Sequence, residues 1–293
     1  MLPAEVLKQI RAVQLKAGHL VTDALAGNYL SAFKGRGMEF DEVREYVPGD
    51  DVRSIDWNVT ARMGAPYIKV LREERELTLM LMVDVSPSLA AGGGTRTRSE
   101  VAAELAAVLA FLAIRNNDKV GLLVFSDHVE QFIPPKKGRA HVWRIIREVL
   151  THKGRGSSTD IGAALDAALR YVPRRSLCFL ISDFWAQGFE RAVKAAAQRH
   201  DLVAVRVDDP REHQLPAVGL VTLQDSESGE LIVVDTSDQR LRADYAKAAA
   251  ARERDLTSVF RREGIDQFAV TADGSVTTPL VKFLREREKR RRR

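Results

Sequence analysis

The strongest constraint on this chain is the run Leu77-Thr78-Leu79-Met80-Leu81-Met82-Val83, followed at once by Asp84-Val85-Ser86-Pro87-Ser88. The run is too short to span a membrane and too continuously apolar for a half-exposed strand. It predicts a buried strand of a parallel sheet. An aspartate and two hydroxyls at i, i+2 and i+4 then follow the strand at its carboxyl end, where open α/β sheets place their ligands. On that placement Asp84 lies beyond the strand on a solvent-facing loop. Two serines and one aspartate offer hard oxygen ligands with a low charge count, which suits Mg²⁺.

Asp and Ser are also ordinary turn residues, so these five positions alone do not separate a metal site from a strand-ending turn. Two later segments add weight. Ser157-Ser158-Thr159-Asp160 supplies hydroxyls just before a helical pattern, and Leu177-Cys178-Phe179-Leu180-Ile181-Ser182-Asp183 is a second buried-strand pattern ending in an aspartate. The three loops are expected to converge on one edge of the sheet.

The surrounding pattern alternates strand and helix. Thr97-Arg98-Ser99-Glu100 resembles a capping box opening a helix to about Asn116. Val120–Phe125 and Val129–Ile133 are joined by three residues, too few for a parallel crossover, so they are expected to pair antiparallel at one sheet edge. Helices are expected near 139–150, 160–171 and 189–199, with strands at 177–182 and 202–207. The sum is a doubly wound, mainly parallel α/β sheet carrying one antiparallel strand. After Pro210 a β-hairpin (218–223 and 230–235), a charged helix (239–263), a last strand (266–271) and a closing helix are expected. Residues 3–26 read as helical. Residues 35–76 are charged but hold too many apolar anchors, among them Tyr46, Ile55, Trp57 and Tyr67, to be disordered.

The net charge is +5, and residues 285–293 alone hold seven basic and two acidic residues. The body is therefore balanced, without the basic character of a nucleic-acid binder, and the tail reads as a frayed, solvated end. The single cysteine, Cys178, excludes a disulfide framework and reads as a core residue. No signal-peptide layout opens the sequence, and a cytoplasmic protein is expected.

The motifs Asp84-x-Ser86-x-Ser88, Thr159 three residues before Gly162, and Asp183 ending a later strand resemble the metal-ion-dependent adhesion site of von Willebrand factor type A domains. The block from Gly35-Arg36-Gly37 through Arg44-Glu45-Tyr46-Val47-Pro48-Gly49-Asp50-Asp51 to Ile55-Asp56-Trp57 and Arg62 resembles the bacterial domain-of-unknown-function family 58, whose members couple such a block to a type A domain. Leu89 departs from the methionine many relatives carry. The resemblance implies an extension over 1–76 packed on a type A domain at 77–290, with a hairpin-and-helix insertion at about 211–264 and a basic tail at 291–293. It implies Mg²⁺, with Mn²⁺ or Ca²⁺ as alternatives, held by Ser86 and Ser88 directly, by Thr159 directly or through water, and by Asp84 and Asp183 mostly through water. One coordination position is left for a partner carboxylate. It further implies a MoxR-type AAA+ ATPase partner and a chaperone-like role in assembly.

Catalytic readings have less support. No P-loop is present, because Gly92-Gly93-Gly94-Thr95 lacks the following lysine. The histidines show no ligand spacing and read as surface or satisfied core residues. Asp127 and Asp160 are the only candidates for a general base. A non-enzymatic, Mg²⁺-dependent interaction module is therefore expected, with a metal-dependent hydrolase, or a nucleic-acid binder using the arginine tail, as alternatives.

Overall fold

The computed structural model describes residues 22–33, 38–73, 76–90, 96–227 and 229–292. Two compact units emerge: Phe33–Glu76, and the remainder of the chain.

Helix α1 (Asp23–Phe33) precedes the small unit. The helix expected over 3–26 falls largely outside the described residues, as do Gly35-Arg36-Gly37 and the glycine loop 92–94. The small unit pairs strand β1 (Met38–Glu45) antiparallel with β2 (Tyr67–Glu73), around a 3-10 turn (Val52–Ser54) and helix α2 (Trp57–Met63). Its charges pair internally. Arg44 donates two hydrogen bonds to Asp50, at 2.7 and 2.8 Å, and this pairing holds the Asp50 carboxyl below its usual range. Asp51 caps the 3-10 turn, and Asp56 caps α2 while pairing with Lys69 at 3.4 Å.

In the large unit, the apolar run forms β3 (Thr78–Asp84). A short helix α3 (Pro87–Ala90) leads on to α4 (Arg98–Arg115), which opens on the expected Thr97/Glu100 capping box. Strands β4 (Lys119–Phe125) and β5 (Val129–Lys136) pair antiparallel, as the short connector requires. Helices α5 (Arg139–Thr151) and α6 (Ile161–Tyr171), strand β6 (Leu177–Ser182), helix α7 (Glu190–Arg199) and strand β7 (Asp201–Asp208) continue the alternation. The hairpin β8 (Leu220–Gln224) and β9 (Leu231–Asp235) stands as a separate two-stranded sheet. Helix α8 (Gln239–Arg262), strand β10 (Asp266–Thr271) and helix α9 (Thr277–Arg292) close the chain.

The central sheet has six strands in the order β10-β7-β6-β3-β4-β5, all parallel except the β5 edge. Pro134 and Pro135 sit on that edge strand, where a missing donor costs least. Met80, Met82, Cys178 and Leu180 face a core shared with α6 and α7, so the intervening Leu79, Leu81 and Val83, which are also buried, face the opposite layer. Cys178 is the core residue expected of it.

Two local expectations are corrected. The tail does not fray among the described residues: α9 runs to Arg292, Arg287 pairs with Asp201 and Asp266, and Arg290 pairs with Asp266. His200 is buried, yet neither ring nitrogen has a partner among the described residues. Burial, with Arg199 and Arg175 nearby, pushes its pKa down and favours the neutral ring.

Candidate functional site

Strand order sets the site. From β3 the chain moves to β4 and β5 on one side, and later to β6, β7 and β10 on the other. The connections diverge between β3 and β6, which leaves a crevice at their carboxyl ends. Asp84 ends β3, and Ser182-Asp183 ends β6.

Asp84 corrects the expectation of a solvent-facing loop, because it is the last residue of its strand and fully buried. Its Oδ1 accepts from the Ser86 amide at 2.9 Å, which folds the following loop back on the strand. Its Oδ2 accepts from the Ser182 hydroxyl at 2.6 Å. Each bond lowers the carboxyl pKa, but burial and the charge of Asp183 outweigh them and push Asp84 up to about 7. The fold gathers more negative charge here than its own donors neutralise.

Ser86 and Ser88 are buried, with their hydroxyl oxygens 3.0 Å apart. Leu89 packs fully buried behind them, so it serves the core as an apolar residue should.

Asp183 is also buried. Its Oδ1 accepts from the Trp185 amide at 3.2 Å, while Oδ2 has no hydrogen-bond donor among the described residues. Oδ2 instead faces the Arg98 guanidinium, at 3.7 Å. Phe184 turns the chain sharply here at φ 57°. That left-handed conformation costs a non-glycine residue roughly 1–2 kcal/mol. It is held by burial of the ring against Phe189 and Phe260.

The third loop arrives through two glycines. A methyl group on Gly154 would collide with the Val85 carbonyl, and one on Gly156 with Ser126 and Asp127. Loop 152–160 therefore lies directly against the ends of β3 and β4. Thr159 on this loop donates to Glu227 of the β8–β9 turn at 3.3 Å.

Asp127 and Asp160 are structurally engaged. Asp127 accepts from the Ser157 amide at 3.1 Å and pairs with His128, which keeps its pKa low. Asp160 caps α6 through the Ala163 amide at 2.8 Å. Two residues that sequence reasoning missed hold the site. Glu130 accepts from the Arg155 amide at 2.9 Å and from His152 at 2.8 Å, and such bonds pull it to about 2 although burial opposes them. Arg98, buried at the start of α4, binds the Ser88 carbonyl and Glu212. No local pattern announces either residue, because their partners lie far along the chain.

Among the described residues no group of three or more His, Cys, Asp or Glu gathers at ligating distance. A site here would rest on hydroxyls with two acids behind them. The two serine hydroxyls hydrogen-bond each other at 3.0 Å, and adjacent oxygens 2.0–2.1 Å from an octahedral Mg²⁺ stand about as far apart. A buried Asp183 oxygen with no hydrogen-bond donor among the described residues, ion-paired with Arg98 at 3.7 Å, and the raised Asp84 fit the same group.

These features define an α/β protein with a mainly parallel six-stranded sheet and a hydroxyl-and-carboxylate crevice at its switch point. The chain belongs to the family described as protein of unknown function DUF58, which matches residues 42–255. It is 34% identical over 284 residues to the uncharacterized protein Rv1480 of Mycobacterium tuberculosis, covering 96% of this chain and 89% of the relative. The same figures hold for the uncharacterized protein Mb1516 of Mycobacterium bovis.

Among solved structures, the conserved hypothetical protein BatB of Bacteroides thetaiotaomicron is similar at 21% identity and TM-score 0.47, over 73% of this chain and 99% of that one. An aerotolerance-related membrane protein of Bacteroides fragilis is similar at 20% identity and TM-score 0.48, over the same shares. An uncharacterized membrane spanning protein of Vibrio fischeri matches at 16% identity and TM-score 0.28, over 72% and 98%. Two of these three are described as membrane proteins, and the expectation of a cytoplasmic protein is not kept. Among the described residues, no helix is long and apolar enough to cross a membrane.

Proposed function

We propose that this chain is a non-enzymatic, Mg²⁺-dependent protein-interaction module of the von Willebrand factor type A kind. The observation that carries the reading is the pair of buried serine hydroxyls 3.0 Å apart at the switch point, backed by two buried carboxylates. Ser86 and Ser88 would hold the ion directly, Thr159 directly or through water, and Asp84 and Asp183 mainly through water. When bound, the ion supplies a positive charge with an open coordination position for a partner carboxylate.

The chain's own residues supply the rest. Asp84 orients the Ser86 loop through its amide, and Ser182 fixes Asp84 from the neighbouring strand. Arg98 anchors the Ser88 carbonyl from behind. Asp127 and Asp160, the general-base candidates of the hydrolase reading, are engaged in loop and cap bonds, which favours the interaction reading.

In this reading the protein works as an adaptor or assembly factor with a MoxR-type AAA+ ATPase, presenting a client or the ATPase itself with the metal face. The test is capture of the co-encoded ATPase by the full chain and by Asp84→Ala, each with Mg²⁺ or chelator. Mg²⁺-dependent capture by the wild type alone supports the reading; equal capture under all four conditions refutes the bridging ion.

A further inference from the structure

Half of the large apolar side chains exposed among the described residues lie on one element. Val218, Leu220, Leu223, Leu231, Ile232 and Val233 are 38–74% exposed, and all belong to the β8–β9 hairpin or its entry. In the antiparallel register, Leu231 and Val233 share one face with Leu220, while Leu223 and Ile232 share the other. Both faces are therefore open, and neither strand pairs with any other among the described residues. A lone two-stranded ribbon is marginal in water, and an apolar patch of this size marks an interaction surface.

The charge of this arm is as unusual as its exposure. Residues 214–239 hold five acidic and no basic residues. Since the whole chain carries +5, the remainder carries +10. The complementary surface lies on the chain itself, at the amino ends of the strands. There a cleft of about 590 Å³ has Ile265 and Phe283 in its wall, with Arg261, Lys289 and Arg290 set against Asp266 and Glu286, a small basic excess. It opens beside β10, an edge strand of the central sheet. Asp201 and Asp266 take up Arg287 and Arg290, so the rim is a mixed protein surface and not the continuous basic stripe that follows a phosphate backbone.

We propose that the acidic, apolar β8–β9 arm is a dimerisation arm, which docks on the basic cleft beside β10 of a second copy of this chain, reciprocally. Covering the Leu220, Leu231 and Val233 face and the surface opposite it on both arms buries on the order of 1,500 Å², the scale of a specific dimer. The cleft lies at the opposite end of the strands from Asp84 and Asp183, but the arm's turn meets Thr159 through Glu227, so the test is made without metal.

Analytical ultracentrifugation of the full chain in chelator tests it, at concentrations up to about 100 µM. The dimer should form at about 50 mM salt and weaken at about 500 mM, as screening requires. Leu231→Ser with Val233→Ser removes exposed apolar surface at little cost to the fold and should weaken association at least tenfold. Glu230→Lys alone and Lys289→Glu alone should each weaken it, and the two together should restore it. A wild type that stays monomeric throughout overturns the proposal. So does a dimer that is indifferent to these substitutions, or a charge-swapped pair no tighter than either single variant.

Discussion

The Ser182 hydroxyl donates to the Asp84 carboxylate at 2.6 Å and so ties the ends of β6 and β3 together across the switch point. The same hydroxyl accepts from the Phe184 amide at 3.0 Å, which steadies the left-handed turn after Asp183. Ser182→Ala therefore leaves a buried carboxylate and a buried amide each short of one partner. A hydrogen bond to a charged group contributes about 1.5–3 kcal/mol. Urea unfolding should show a loss in that range with an unchanged slope. A loss within experimental error would mean that the two strand ends do not depend on this bond.

A pH signature follows from Asp84. Its folded pKa is raised from the ordinary carboxylate value of 3.8 to about 7, chiefly by burial and next by Asp183. Between those values the folded state binds more protons than the unfolded state, so stability falls as pH rises. The metal-free protein keeps this contribution in full below about pH 4 and loses it as pH passes about 7. At about 1.4 kcal/mol for each pH unit crossed, the loss is of order 4 kcal/mol at most. In chelator, Asp84→Asn should gain on the wild type in thermal stability as pH rises from 4 to 8. Parallel pH profiles for the two proteins would show that Asp84 is not held in a proton-binding environment.

Gly154 is required by proximity, because a side chain there meets the Val85 carbonyl, which is backbone and cannot swing away. Gly154→Ala should displace the loop bearing Thr159 and destabilise the protein by about 1–3 kcal/mol, the usual cost of overpacking. Circular dichroism melts would register the drop. A variant as stable as the wild type would place this loop away from the β3 end.

Arg98 is buried among the Ser88 carbonyl, Glu212 and Asp183. Removing one partner of a buried pair leaves uncompensated charge and costs about 3–5 kcal/mol. Arg98→Ala should therefore melt well below the wild type, and Arg98→Lys should recover only part of the loss, because an ammonium cannot span the same acceptors. Full recovery by lysine would show that point charge alone suffices.

Much of this arrangement is legible in the sequence, for identifiable reasons. The continuous apolar runs at 77–83 and 177–182 leave little choice but buried parallel strands. The three-residue connector Ser126-Asp127-His128 forces the antiparallel β4–β5 pair. What escapes is whatever depends on distant partners. Asp84 reads as a turn residue, and only the neighbouring strand shows it buried and bound by Ser182. Arg98 and Glu212 lie 114 positions apart, so no local pattern links them. The basic tail reads as frayed because its acceptors, Asp201 and Asp266, begin strands far upstream of it. The family resemblance identified the block around Arg44 and Asp50, while the pairing of those charges within their own unit is a structural finding.

The measurement that bears most directly on the central claim is calorimetric titration of Mg²⁺ into the metal-free full chain, at pH 7.5 or above so that Asp84 is largely ionised. The account predicts saturable binding of one ion per chain. Affinity should be lost in Ser86→Ala with Ser88→Ala, although that double variant keeps the wild-type circular dichroism spectrum. Binding of the same strength in the double variant, or no heat of binding in the wild type, would contradict the assignment of the switch-point crevice as a metal site.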